Sequence, residues 1–317
     1  MNKLSVGVIG VGFWGRNHAR VFYELPNAEL KAVCDVNKER VKELAKKYSI
    51  NGYTDSRELL KKEDVDAVSI CTWSTALAKE AVRALNAGKH VFVEKPMAIN
   101  VKEAEEVVEL SEKNDLYLMV GFIERFNPGV EKLKNLLERG EAGTVVSTLS
   151  RRVSRWPERI GDVGVVKDTA IHELDMLCYL LNDSPRTIYA RVGSLRHRAF
   201  EDYAQIIIGF RNGTTAFVET NWLTPYKVRR LIITGSEAIL SLDYITQKII
   251  IEKSGKRSSP PHLWREPLLL ELDHFVSCIL NKGELRTTGY DGLRALKIAE
   301  KVLESSRRNK VIKTEDI

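Results

Sequence analysis

The stretch that decides the architecture is LSVGVIGVGFWG, Leu4 to Gly15. An apolar run ends at Gly10, and Gly10, Gly12 and Gly15 give a GxGxxG spacing that leads into GRNHARVFYEL, whose apolar positions recur at helical intervals. A strand turning sharply into a helix needs glycine where the chain bends, where the backbone must approach a ligand, and where helix and strand pack closely. The helix start then offers unpaired N–H groups and the positive end of its dipole to a pyrophosphate. ELKAVCDV reads as the next strand and ends on Asp35, twenty residues beyond Gly15, where a carboxylate can accept hydrogen bonds from ribose hydroxyls. A carboxylate there repels the 2′-phosphate of NADP, so NAD is the expected cofactor and NADP the less favoured one, although Lys38 and Arg40 follow closely. Phe13 and Trp14 in the turn, and Thr72 and Trp73 after the third strand, are the further residues expected against the cofactor.

Outward from that turn, AVSICTW, HVFVEKP and LYLMVGF continue as apolar strands, alternating with the amphipathic helices KERVKELAKKY, KEAVRALNAG and VKEAEEVVELSEKN. Such alternation predicts right-handed crossovers and a doubly wound parallel sheet over residues 1–121. Residues 122–317 begin with a helical segment, GFIERFNPGVEKLKNLLERG. Strand-like runs follow, TVVSTLSRRV, RTIYARVGSL, YAQIIIGF, TTAFVETNWL, VRRLIITG, AILSLDY and KIIIEK, broken by turn signals such as Arg211 to Gly213. They predict a second α/β domain with a large, mostly antiparallel open sheet. A sheet that wide has a face left to bury, and a second subunit is the expected cover, in a homo-oligomer such as a dimer or tetramer.

The composition bounds the function. With 317 residues, 44% hydrophobic and 29% charged, the chain can fill two cores and is neither disordered nor a membrane protein. Its apolar opening is broken by glycines and lacks a cleavage pattern, so no signal peptide or spanning helix is expected, and the cytoplasm is the expected compartment. The four cysteines, at positions 34, 71, 178 and 278, form neither a metal spacing nor a disulfide framework. The net charge of +6 is spread mostly over helices in which Lys and Arg alternate with acids. With no recognition helix and no basic stripe interleaved with aromatics, nucleic acid is not an expected partner.

One helix departs from ordinary amphipathicity. In KDTAIHELDMLCYLL, Lys167 to Leu181, the residues Asp168, His172, Asp175 and Tyr179 fall at steps of four, three and four on one stripe, and apolar residues cover most of the rest. Taken singly, Asp168 is an N-cap, His172 a satisfied core histidine and Asp175 its partner. Together they form a line on which a proton can be taken and held. Glu94, Lys95 and Pro96 end the HVFVEKP strand, at the edge where open α/β sheets bind ligands. There a lysine can hydrogen-bond a substrate hydroxyl, or simply face solvent.

GVIGVGFWGRNHAR, AGKHVFVEKPMA and the Asp168 to Asp175 segment, in that order, resemble the Gfo/Idh/MocA oxidoreductases over essentially the whole chain. The resemblance implies a nicotinamide-binding Rossmann domain followed by an α/β domain whose open sheet mediates oligomerisation. It implies Lys95 as the lysine of the EKP motif, Asp168 as the aspartate at the helix start, His172 as the catalytic histidine and Asp175 as a further acidic position. His172 would then take the alcohol proton as hydride leaves the same carbon for the nicotinamide. One signature is broken, because Trp73 and Leu77 stand in CTWSTALAKE where many members carry proline and histidine. A rival of another class is a dinucleotide-binding regulator that kept the fold and lost the chemistry.

ERFNP, RRVSRWPERIGDVGVVKD and NWLTPYKVRRLIITG are most similar to the nucleotide-sugar branch of that family, notably UDP-N-acetylglucosamine 3-dehydrogenases. Arg151, Arg152, Arg155 and Arg159 would clamp a diphosphate, assisted by Arg125 or Lys227, with Asp175 also facing the substrate. For any single arginine, a surface or intersubunit ion pair is the equal alternative. Inositol or a free sugar is the other substrate class, and an aminotransferase consuming a 3-keto product is the partner the branch implies.

Overall fold

A computed structural model describes residues 3–157 and 161–314. The chain divides into two compact units: residues 1–123 with Leu268–Leu293, and Glu124–Pro267 with Arg294–Ile317. The first boundary falls two residues from the expected 121/122 division, but the second unit is not one continuous stretch. Leu268–Leu293 returns to the first unit, where Phe275 packs edge-to-face on Phe92 and Asp273 accepts a hydrogen bond from Asn27.

In the first unit the order is β1 (Leu4–Ile9), α1 (Phe13–Glu24), β2 (Ala28–Cys34), α2 (Lys38–Tyr48), β3 (Asn51–Tyr53), α3 (Ser56–Lys62), β4 (Ala67–Ile70), α4 (Ser74–Asn86), β5 (His90–Val93), α5 (Val101–Lys113) and β6 (Leu118–Val120). All six strands pair in parallel in the order β3-β2-β1-β4-β5-β6. The order reverses beside β1, which sets the glycine turn at the switch point of a doubly wound sheet. β3 and α3 were not expected from the sequence, since three residues carry no readable alternation. Local chemistry starts the helices: Asn37, Asp55 and Asn100 each cap the next helix by accepting backbone N–H bonds.

In the second unit a 3₁₀ turn (Ile123–Phe126) precedes α6 (Pro128–Glu138), because Asn127 caps a helix that opens on Pro128, where a missing N–H costs nothing. β7 (Val145–Val153) follows, then a π-helical turn (Val166–Ala170) running into α7 (Ile171–Leu181). After these come β8 (Pro185–Gly193), β9 (Tyr203–Phe210), β10 (Thr215–Asn221), β11 (Val228–Gly235), β12 (Ile239–Asp243), β13 (Lys248–Lys253) and β14 (Lys256–Ser258). The chain ends with α8 (Pro267–Asn281), α9 (Gly289–Arg308) and β15 (Ile312–Lys313). Nine strands form one sheet, β14-β13-β12-β11-β7-β10-β9-β8-β15, antiparallel except where β10 meets β7. One face carries the core of the unit, including Ile206, Ile208, Val218, Leu231, Ile233, Leu174 and Leu177. The opposite face exposes Leu149, Phe217 and Ile207 in register, flanked by Ile232 and Tyr189. Among the described residues, no helix is long and apolar enough to cross a membrane.

Candidate active site

The glycine turn is built as its spacing demands. Gly10 has φ +87°, and a Cβ there would lie 2.7 Å from the backbone of Cys71 and Thr72; at Gly15 a Cβ would stand 1.8 Å from the Gly10 carbonyl oxygen. No residue with a side chain fits at either position. α1 starts at Gly12 with no side-chain cap and no acid in its first turn, so its end is open to an anion, and Phe13 stands exposed beside it with Trp14 packed against its edge. Asp35 is buried and holds the turn: its Oδ2 accepts from the Val11 N–H and its Oδ1 from the Asn37 N–H, both at 2.8 Å. Each oxygen keeps a further acceptor direction for a ribose hydroxyl. These features fit a dinucleotide. Thr72 and the exposed Trp73 lie between β4 and α4, with Trp73 at the helix start.

Glu94 and Lys95 follow β5, and the Lys95–Pro96 peptide is cis. Glu94 receives the Lys95 N–H at 3.2 Å and lies 3.2 Å from His18 Nε2, while His18 Nδ1 is 2.8 Å from Ser69 Oγ. Burial disfavours the charged imidazole, but Cys71 and Glu94 outweigh it and push the His18 pKa up to about 10. His18 thereby ties α1, the helix of the glycine turn, to the loop that carries Lys95. Its sequence context gave no sign of this, because its partner lies 76 residues away.

In the second unit the stripe divides into two parts. Asp175 is buried and gripped by Arg125, with Nε–Oδ2 at 2.9 Å and Nη2–Oδ1 at 2.5 Å. The same guanidinium stacks 4.6 Å from the Tyr179 ring, which also receives Lys134. Arg125 and Asp175, both expected to bind substrate, are thus bound to each other. Asp168 and His172, by contrast, are both partly accessible. Asp168 sits in the π-helical turn rather than in a regular helix, and π turns inside helices recur at functional sites. Thr169 Oγ1 donates to Asp168 Oδ2 at 3.1 Å and accepts the Trp222 indole N–H at 2.9 Å; Trp222 is buried, with Trp156 edge-on against it. Neither Trp222 nor Thr169 stands in a sequence pattern that signals such a role.

Among the described residues, the arginines expected to form a clamp make separate contacts. Arg151 and Arg152 are adjacent on β7, so they point to opposite faces. Arg151 lies on the outer face with Glu219, at 2.9 Å. Arg152 is buried on the inner face, donating to Glu173 at 2.6 Å and to Glu124 at 2.9 Å, with the Tyr244 ring alongside. Glu173 is further bound by Ser150 and Tyr244. Arg152 thus spends Nε and Nη2 inside the fold, and only Nη1 is left over. Arg155 donates to the Pro225 carbonyl, and Arg159 lies outside the described residues. The period of two along TVVSTLSRRV was the available signal that these arginines part company.

Residues 4–122 match the model of the oxidoreductase family with an NAD-binding Rossmann fold, GFO_IDH_MocA, and residues 130–241 match the GFO/IDH/MocA C-terminal domain. The inositol 2-dehydrogenase of Salmonella typhimurium is 34% identical, over 95% of this chain and 94% of that protein. The uncharacterised oxidoreductase YrbE of Bacillus subtilis is 30% identical, over 96% and 94%. Among solved structures, the UDP-N-acetylglucosamine 3-dehydrogenase GnnA of Acidithiobacillus ferrooxidans superposes with a TM-score of 0.89 at 26% identity, covering 97% of this chain and 99% of that one.

Proposed function

Because this chain belongs to the GFO/IDH/MocA oxidoreductase family, we propose that it oxidises the 3-hydroxyl of a nucleotide sugar, UDP-N-acetylglucosamine or a near relative, to a ketone. The enzyme is an NAD-linked dehydrogenase acting on CH–OH groups. The glycine turn and Asp35 would hold NAD, which would supply the hydride acceptor. His172 takes the hydroxyl proton, Lys95 orients and polarises that hydroxyl, and Asp168 fixes the imidazole or the neighbouring sugar hydroxyl. The observation that carries the reading is the division of the stripe: Arg125 occupies Asp175, whereas Asp168 and His172 stay accessible and the Trp222–Thr169 chain orients Asp168.

The sugar assignment rests on the likeness to GnnA. The 34% identity to an inositol 2-dehydrogenase favours a neutral cyclitol as the second reading. A cofactor-reduction screen with NAD separates them, using UDP-N-acetylglucosamine, free N-acetylglucosamine and myo-inositol. The nucleotide sugar should have by far the highest kcat/KM; equal rates on the free and UDP-linked sugar would discard it. An aminotransferase consuming the 3-keto product is the proposed downstream partner. The outer face of the wide sheet is proposed to bury Leu149, Phe217 and Ile207 against a second copy of the chain.

A further inference from the structure

The inner face of the nine-stranded sheet turns cationic at one end. On β11 the apolar residues Leu231 and Ile233 face the core, and the same face continues outward through Arg229 to Lys227. Arg229 is directly opposite Arg152 on β7, and Arg152 is in register with Thr220 on β10. Like charges placed opposite one another destabilise a sheet. Glu124 relieves part of that cost by accepting from Arg152 at 2.9 Å and Arg229 at 3.3 Å. Among the described residues Lys227 makes no hydrogen bond or ion pair with a carboxylate, and Glu124 acts on it only at longer range. Two buried groups in the same row, Arg152 Nη1 and Thr220 Oγ1, also have no hydrogen-bond partner among the described residues. A buried donor left without a partner is costly, so acceptors are in short supply here.

We propose that Lys227 and Arg229, with Arg152 Nη1 and Thr220 Oγ1 behind them, form a subsite for an oxyanion carried by the substrate, a phosphoryl or carboxylate group. This deepens the nucleotide-sugar reading and rests on it for the choice of a phosphoryl group. The subsite belongs to the same unit as Asp168 and His172. Thr220 lies two residues before Trp222, which holds Thr169 and through it Asp168. Burial and then Arg152 lower the Arg229 pKa to about 10 against the opposing pull of Glu124, Glu173 and Asp168, and Lys227 is lowered first by Arg229 and then by burial, with Glu124 opposing. An arriving anion relieves that repulsion and supplies the missing acceptors.

The test uses NAD-saturated full-length protein, so that the glycine turn is filled, and inorganic pyrophosphate as probe in titration calorimetry. Binding should weaken about tenfold in Lys227→Met and a few-fold in Thr220→Val, an isosteric change that keeps the packing. In parallel, Lys227→Met should raise KM for UDP-N-acetylglucosamine or a hexuronic acid about tenfold more than KM for myo-inositol. A larger effect on the UDP sugar identifies a phosphoryl group as the anion, and a larger effect on the uronic acid identifies a carboxylate. Pyrophosphate binding lost in Lys227→Met alongside activity on neutral polyols alone would keep the subsite and discard the nucleotide sugar. Equal pyrophosphate affinity in wild type and both variants overturns the subsite, whichever substrate is turned over.

Discussion

Arg125 and Asp175, fifty residues apart, meet in a two-pronged ion pair with both side chains withdrawn from solvent. Removing one partner strands a buried charge. Asp175→Leu or Arg125→Met should therefore lower unfolding stability by about 3–5 kcal/mol in urea titrations. Replacing both at once with apolar residues should cost clearly less than the two losses added. A single-variant loss below about 1 kcal/mol, as for an exposed pair, would contradict the burial of this one.

The other half of the stripe, Asp168 and His172, is where the chemistry is proposed. His172→Ala should lower kcat by about two orders of magnitude or more, with NAD affinity retained. Thr169→Val breaks the hydrogen-bonded chain from Trp222 to Asp168 without touching either end, and kcat should fall about tenfold. Thr169→Ser keeps the hydroxyl and should recover most of the rate. Wild-type kcat in Thr169→Val would show that Asp168 needs no such support.

Asp35 has two tasks, and its variants should separate them. Asp35→Ala should weaken NAD binding at least tenfold, measured by quenching of protein fluorescence. It should also lower Tm, because the Val11 and Asn37 N–H groups lose their acceptor. Unchanged NAD affinity with a lowered Tm would leave Asp35 as a scaffold of the turn alone.

Glu124 links stability to acid pH. Burial raises its pKa, but Arg152 and Arg229 prevail and hold it below its ordinary value of 4.5. A depressed carboxylate stabilises the fold fully above that value, and the contribution is lost as pH falls through the lower folded pKa. Stability should therefore decline more steeply below about pH 4.5 in the wild type than in Glu124→Gln. Parallel curves for the two would remove Glu124 from the acid transition.

Assembly is tested on the outer face of the sheet. Phe217→Glu places a charge in the exposed apolar row formed with Leu149 and Ile207. Light scattering should then report a smaller species than the wild type at equal concentration.

The Rossmann half was legible because its glycines, its alternating elements and the acid at Asp35 are local features, each a few residues long. The return of Leu268–Leu293 to the first unit was not, since it depends on packing of Phe275 against Phe92, far away in sequence. Lys95, Asp168 and His172 are proposed from spacing and resemblance. The grip of Arg125 on Asp175 joins a 3₁₀ turn to a helix, and no pattern announces such a pair. The π-helical turn is equally silent, because Val166–Ala170 has the composition of an ordinary helix start.

β7 works as a divider between two independent surfaces. Its even positions, Thr148, Ser150 and Arg152, look inward, and Ser147, Leu149 and Arg151 look outward. A designer can therefore rewrite the outward set to change how copies associate while leaving the reactive side of the molecule intact, and the reverse holds as well. A one-residue insertion or deletion in the strand is a different matter, because it exchanges the two sets wholesale. Natural variation in this segment is thus expected to proceed by substitution at constant length.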